Sequence, residues 1–349
     1  MKKPIQSPKI VVSAYLQEAL LNEYGLRVIE ARPVKSVWQL NTETGLYCLK
    51  VVTHRRKRLK FVLGAMEYLV KSGFHELARL VPTRDGRLFT KVRHHIIFLT
   101  EWVEGHKCEF ARPADLAAAA TTLANFHRHA RGYSPPEDSQ YKVMWGKWPA
   151  ILQARWESLT QYKEIAWAKP IKTEFDQLFL THYAYYHRQA ELAVRLLEQS
   201  PYAQLVEEGA RAQSFIHQDV AGRNFIIAPS GTALLIDFDL VRYDLRVLDL
   251  LRLVERTMKK CHWDIKMANL ALSRYQSVSR LTPAEWEVLL AFLLFPQKFW
   301  RIANRYYTKL DEYSPKQLLQ KLEKIISRQD RRHQFLHSFA WLYCQRWLD

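Results

Sequence analysis

The stretch from Ser214 to Asp239, SFIHQDVAGRNFIIAPSGTALLIDFD, constrains the fold of this chain more than any other. Asp219, Asn224 and Asp237 stand five and then thirteen residues apart in it. Between the last two lie an apolar run from Phe225 to Ala228, the cluster Pro229-Ser230-Gly231, and a second run from Thr232 to Ile236. Two β-prone runs joined by a Pro/Ser/Gly cluster spell a hairpin. A turn centred between Ser230 and Gly231 sets Asn224 opposite Asp237. An amide and a carboxylate then meet at the open end of the hairpin, with Asp219 in the loop just before it. Such an oxygen-rich group suits Mg²⁺, a hard ion that favours carboxylate and carbonyl oxygens.

Phosphoryl transfer draws on this same set. One carboxylate orients the attacking hydroxyl or takes its proton, while an Asn and a second Asp hold metal against the β- and γ-phosphates. The kinase pattern is His-x-Asp-x-x-x-x-Asn with an Asp after the next strand, and His217, Asp219, Asn224 and Asp237 meet it in order and spacing. Upstream, alternation in Tyr47-Cys48-Leu49-Lys50-Val51 places Lys50 on one face of a strand, and Glu67 follows 17 residues later on a helix. A strand Lys paired to a helix Glu positions the α- and β-phosphates in a kinase small lobe. Glu101-Trp102-Val103 follows the apolar strand Ile96 to Leu99, where the backbone of Glu101 and Val103 would meet adenine. One expected part is missing. There is no glycine between Leu26 and Thr44, hence no Gly-x-Gly loop, and no Walker A sequence either. Arg32, Lys35 and Ser36 remain as candidate phosphate contacts, and the gap implies weak or unusual ATP binding.

The 349 residues exceed one ordinary core, so two lobes or domains are expected. The longest apolar run, Val288 to Phe295, falls short of the roughly 18 residues needed to span a bilayer and is stopped by Pro296. The basic N-terminus has no apolar core or small-residue cleavage site of a signal peptide, so a cytoplasmic protein without membrane association is expected. Cys48, Cys108, Cys261 and Cys344 are far apart, which suggests neither a zinc site nor a disulfide framework. The net charge of +17, concentrated in His54–Lys60 and Arg328–His333, suits an acidic partner or a solvated basic face. Nucleic acid is the weaker partner, since no recognised module accompanies the charge. His94-His95 lacks further metal ligands and reads as a strand-turn pair. His127 and His129 lie two apart on a helix and face different ways. The aromatic stretch Phe292 to Tyr307 reads as helix core.

Along the chain, Val37–Leu40 and Leu46–Val52 form one hairpin-like pair, and Leu88–Val92 with His95–Trp102 form another. Between them Arg58–Lys71 has apolar residues at helical spacing and is ended by Gly73. From Pro113 onward helical patterns dominate, and the boundary falls near residue 104. The expected architecture is α+β: a small β-rich N-lobe, 1–104, binding nucleotide, and a large helical C-lobe, 105–349, carrying the catalytic loop and metal site.

These residues resemble the aminoglycoside phosphotransferase and choline kinase-like superfamily, within the protein-kinase-like fold. Ile236-Asp237-Phe238-Asp239 stands where protein kinases have Asp-Phe-Gly, and the helix from Asp115 to His129 is similar to the first large-lobe helix of that group. Tyr243-Asp244-Leu245 and Leu248-Asp249-Leu250 resemble its segment after the metal site, in which Asp249 would brace the catalytic loop. Trp145-Gly146-Lys147-Trp148-Pro149, with Arg155, resembles the CotS-type spore coat protein family. Two departures stand out: Gln218 replaces a frequent Gly, and Asp239 adds a carboxylate that either joins the metal site or, the preferred reading, caps the following turn. The resemblance implies an ATP- and Mg²⁺-dependent phosphotransferase. Its base would be Asp219, assisted by His217, with Asn224 and Asp237 as metal ligands and Lys50, Glu67, Glu101 and Val103 contacting nucleotide. The acceptor would be a hydroxyl-bearing small molecule or protein. It equally implies a catalytically weak or inactive structural protein of the bacterial spore coat, contacting other coat proteins.

Overall fold

The computed structural model describes residues 14–52 and 56–344. The N-terminal segment 1–13, and His54 and Arg55 of the basic run, lie outside the described residues. By contact the chain forms two compact units, one made of 2–142 with 217–242, the other of 143–216 with the chain from Tyr243 on. The contacts therefore divide elsewhere than residue 104. The reason is strand pairing: His106–Lys107 lies antiparallel to Phe225–Ile227, which joins 105–142 to 217–242, and Leu235 bridges to Leu77, which joins 217–242 to the sheet-bearing unit.

The first unit opens with α1, Ala14–Ala19, which runs into one π turn closed by Gly25 in the left-handed region at φ 71°. An antiparallel sheet follows: β1 Val28–Val34, β2 Val37–Thr42, β3 Gly45–Val52, β4 Leu80–Val81, β5 Thr90–Val92 and β6 His95–Glu101. Its order is β1-β2-β3-β6-β4, with β5 also on β6. The connecting turns Lys35-Ser36, Glu43-Thr44 and Arg93-His94 are two residues each. His94 thus falls in a turn and His95 opens β6. Leu16, Leu20, Tyr24 and Leu26 cluster with Leu40, Leu49, Ile97 and Leu99 of the strands, forming one core.

Helix α2, Arg56–Lys71, starts two residues before the predicted Arg58. Leu59, Val62, Met66 and Leu69 are buried at the three- and four-residue spacing that marks an amphipathic helix. Gly73, at φ 100°, ends it with the left-handed residue common after helices. After β7, His106–Lys107, comes α3, Pro113–His129, with Pro at its first turn. The short strands Phe225–Ile227 and Ala233–Leu235 complete a three-stranded sheet with β7, and Thr122 of α3 donates its hydroxyl to the Ala233 carbonyl at 2.8 Å.

The second unit is helical: α4 Trp148–Ala168, α5 Glu174–Gln199, α6 Tyr202–Arg211, α7 Val247–Lys260, α8 Ile265–Val278, α9 Pro283–Leu294, α10 Gln297–Thr308, α11 Pro315–Ile326 and α12 Gln329–Tyr343. A helix apolar all round must be enclosed by others. That is α9, whose residues from Val288 to Leu293 are all buried among α5, α6, α7 and α12. Among the described residues no helix is long and apolar enough to cross a membrane. Phe295, Phe299 and Tyr306 are buried as well, so the aromatic stretch is core.

Candidate active site

The hairpin carrying Asn224 and Asp237 forms, with a register one residue away from the expected one. Ile227, Ile226 and Phe225 face Ala233, Leu234 and Leu235, which centres the turn on Ser230. Asn224 consequently stands opposite Ile236, whose N–H donates to the Asn224 carbonyl at 2.9 Å, and not opposite Asp237. The cause is an odd, three-residue loop, Pro229-Ser230-Gly231, with Gly231 left-handed at φ 83°. That is the turn-plus-left-handed-residue solution for a three-residue hairpin loop.

Asp237 itself is left-handed, at φ 67°, and begins a 3₁₀ turn over Phe238–Leu240. Its carboxylate turns to Lys50, whose Nζ lies 3.1 Å from Asp237 Oδ1 and 3.7 Å from Asp239 Oδ1. Lys50 is paired in register with Phe98 at the centre of the sheet. Burial alone would lower the Lys50 pKa, but the charges of Asp239 and Asp237 outweigh it and raise it. Asp239 thus shares the lysine with Asp237 and makes no hydrogen bond capping the following turn. Among the described residues Lys50 has its ion pairs with Asp237 and Asp239 and none with Glu67, its expected partner.

On the other side of the hairpin, Asp219 and Asn224 meet directly. Asn224 Nδ2 donates to the Asp219 carbonyl at 2.8 Å and to its Oδ2 at 3.0 Å. Since both bonds use the NH₂ end, the Oδ1 of this buried Asn remains as an acceptor. Arg223 Nη2 lies 2.6 Å from the same Oδ2. His217 is fully buried, and its Nε2 donates to the Ile236 carbonyl at 3.1 Å, since a carbonyl can only accept. It stacks edge-on against Phe238, with ring centres 5.0 Å apart. His217 therefore joins the loop before Asp219 to the backbone before Asp237. Gln218 adopts φ 72°, which explains why glycine suits its position.

The expected adenine contacts lie at the end of β6. The Glu101 N–H is already bonded to the Arg79 carbonyl at 2.9 Å, and the Trp102 N–H to Leu46 at 3.1 Å. The Glu101 side chain is exposed.

Two features escaped sequence reasoning. Arg58, counted only as part of a basic run, donates from Nη2 to the carbonyls of Asp239 at 2.8 Å and Val241 at 2.6 Å. It clamps the backbone just after Asp237, and burial lowers its pKa. In the helical unit, Trp148 Nε1 reaches both oxygens of the fully buried Asp244 at 3.1 and 3.2 Å, so the Trp-Gly-Lys-Trp-Pro segment supports the Tyr-Asp-Leu segment. Asp249 is also fully buried, in the first turn of α7, with Arg252 Nη1 3.9 Å away.

Mg²⁺ takes one or two carboxylates and fills its octahedron with phosphate and water oxygens, so no all-protein cage is required. Among the described residues there is no group of three or more His, Cys, Asp or Glu able to hold a metal. Asp237 and Asp239, with side chains 44% and 40% exposed and both beside Lys50, fit an open site of that kind.

A sheet-bearing unit with a strand lysine facing the Asp after the hairpin defines the kinase-like class, and the fold is that of aminoglycoside phosphotransferases. An aminoglycoside phosphotransferase from Alicyclobacillus acidocaldarius subsp. acidocaldarius DSM 446 matches at TM-score 0.83 and 25% identity, over 93% of this chain and 96% of that one. The AMP-bound spectinomycin phosphotransferase matches at TM-score 0.58 and 15% identity, over 89% and 93% of the two chains. The chain belongs to the family described as "Spore coat putative kinase YutH", which matches residues 17–339. Spore coat protein S of Bacillus subtilis (strain 168) is 25% identical over 311 residues, 88% of each chain.

Proposed function

We propose that this protein is an ATP- and Mg²⁺-dependent phosphotransferase associated with the spore coat, acting on a hydroxyl-bearing acceptor. The observation that carries the reading is the pairing of Lys50 with Asp237, 3.1 Å apart across 187 residues of sequence, in the unit that also holds Asp219 and Asn224. Asp219 takes or orients the proton of the acceptor hydroxyl. Asn224 holds Asp219 by two hydrogen bonds and offers its Oδ1 to metal. Asp237 is the principal metal ligand, with Asp239 beside it. Lys50 offsets part of the charge of these carboxylates until phosphate arrives, then turns its ammonium to the α- and β-phosphates, where Glu67 would have to move to meet it. The Glu101 carbonyl and the Val103 N–H serve adenine. Bound Mg²⁺ would supply charge neutralisation between the phosphate oxygens. His217 and Arg58 hold the two ends of the metal segment in place. The AMP-, ADP- and AMP-PNP-bound kinases of similar fold support nucleotide binding.

Isothermal titration with ATP, with and without Mg²⁺, tests the reading. It expects binding that depends on the metal in the wild type and loses that dependence in Asp237→Ala; equal affinity in both conditions counts against it. A second reading, a coat-assembly protein with little catalysis, is favoured by the glycine-free turn Lys35-Ser36 where a phosphate-binding loop is expected. Spores carrying Asp219→Asn in place of the wild-type chain separate the two. A normal coat means that contact suffices there, and a deletion-like coat from a folded, abundant variant rules out the pure scaffold.

A further inference from the structure

The basic run Arg328–His333 leads into α12, where His333 and His337 are both exposed, one helical turn apart. Residues four apart on a helix are neighbours on its surface. The two imidazole rings lie 4.4 Å apart between centres, with their planes at 68°. Beside them, from α5, the Tyr185 hydroxyl lies 3.4 Å from His333 Nδ1. With Nδ1–H donating to that oxygen, the lone pair of the ring sits on Nε2. Arg332, next to His333 in sequence, is turned inward. Its guanidinium donates to the Leu293 and Leu294 carbonyls at 2.7 and 2.8 Å and to the Gln189 side chain at 3.0 Å. Neither histidine takes part in the chemistry assigned to the Asp219 hairpin.

We infer that His333 and His337 form a two-histidine site for a divalent transition metal such as Zn²⁺ or Ni²⁺, with Tyr185 orienting one ligand. Imidazole suits these ions, whereas Mg²⁺ favours oxygen. A metal about 2.0–2.1 Å from each ligating nitrogen bridges nitrogens up to about 4 Å apart. Rings centred 4.4 Å apart meet that span. A hydrogen bond from the other ring nitrogen is the usual device that fixes the tautomer and orientation of a ligating histidine. The Tyr185 contact supplies it for His333. Among the described residues no group of three or more His, Cys, Asp or Glu is able to hold a metal, so water fills the remaining positions. The ion is therefore held more weakly than in a site of four protein ligands. Both helices belong to the helical unit, and the inference does not rest on the phosphotransferase reading.

Isothermal titration of the untagged full chain with ZnCl₂, NiCl₂ and MgCl₂ tests this. The tightest equivalent of Zn²⁺ or Ni²⁺ is expected at this site, undisturbed by about 10 mM Mg²⁺. His333→Ala and His337→Ala, both at exposed positions, should each weaken that equivalent by about 100-fold, since one imidazole alone gives no chelate. The paired change His337→Ser with Ser338→His keeps the number of histidines but moves one off the shared face, and should weaken the metal as much. Tyr185→Phe should weaken it by about tenfold while leaving both rings in place. Circular dichroism of every variant should match the wild type. No Zn²⁺ or Ni²⁺ bound up to about 1 mM overturns the inference. So does a tightest equivalent indifferent to His333→Ala or His337→Ala, or one that survives the shift of a histidine to position 338. Displacement by Mg²⁺ would overturn the choice of a transition metal, and an affinity unchanged by Tyr185→Phe would overturn the orienting role of Tyr185.

Discussion

Lys50→Met should make the site bind Mg²⁺ better and ATP worse. In the wild type, one ammonium sits 3.1 Å from Asp237 and 3.7 Å from Asp239, so the three groups carry a net charge of −1 when all are ionised. Methionine keeps most of the side-chain volume and leaves −2. At an effective dielectric constant near 20, one charge at about 4 Å is worth about 4 kcal/mol. Both carboxylates are 40% exposed or more, so solvent screening reduces this to about 1 kcal/mol net. Two effects of that size follow: a loss of about 1 kcal/mol of stability, and roughly fivefold tighter Mg²⁺ binding without nucleotide. The Lys50 contribution has a defined pH range. Its folded pKa is raised above 10.5, so the stabilisation is full below that value and is lost as pH rises through the folded pKa. Thermal unfolding in a MgCl₂ titration, without nucleotide, reads both effects. A variant with the same Mg²⁺ response as the wild type would refute the idea that Lys50 holds the carboxylates in the metal's place.

Three further substitutions probe the supports of the site. Arg58→Ala removes two bonds to the backbone after Asp237 and should cost about 2 kcal/mol in urea unfolding, with weaker MgATP binding; an unchanged midpoint contradicts the clamp. Gly222→Ala drives a methyl into the Cys108 carbonyl and should cost about 1–3 kcal/mol, lowering ATP turnover by shifting Asn224. Trp148→Phe strips the fully buried Asp244 of its indole donor and should destabilise the protein by about 2 kcal/mol, measured by urea unfolding.

Much of this arrangement was legible in the chain itself. Strand alternation put Lys50 on the correct strand, and the Pro/Ser/Gly cluster gave the hairpin, because both are local patterns. The register was not legible to one residue. Odd and even hairpin loops look alike in sequence until the left-handed residue, here Gly231, is known. The partner of Lys50 was missed for a different reason. Pairing with Glu67 depends on where α2 stands relative to the sheet, and a carboxylate 187 residues away reached the lysine instead. Arg58 shows the same limit. A basic run reads as surface, and nothing local reveals that one of its members bonds the backbone 181 residues further on.

The most direct test of the account is a paired measurement on Asp219→Asn. A general base acts on the acceptor proton and leaves the nucleotide alone, and Asn preserves the shape that Asn224 and Arg223 hold. MgATP affinity should match the wild type, while phosphoryl transfer or slow ATP hydrolysis should fall by roughly 10²–10⁴. Wild-type turnover in the variant, or its absence from a wild-type chain that binds MgATP, would contradict the assignment of Asp219 as the base of an active phosphotransferase.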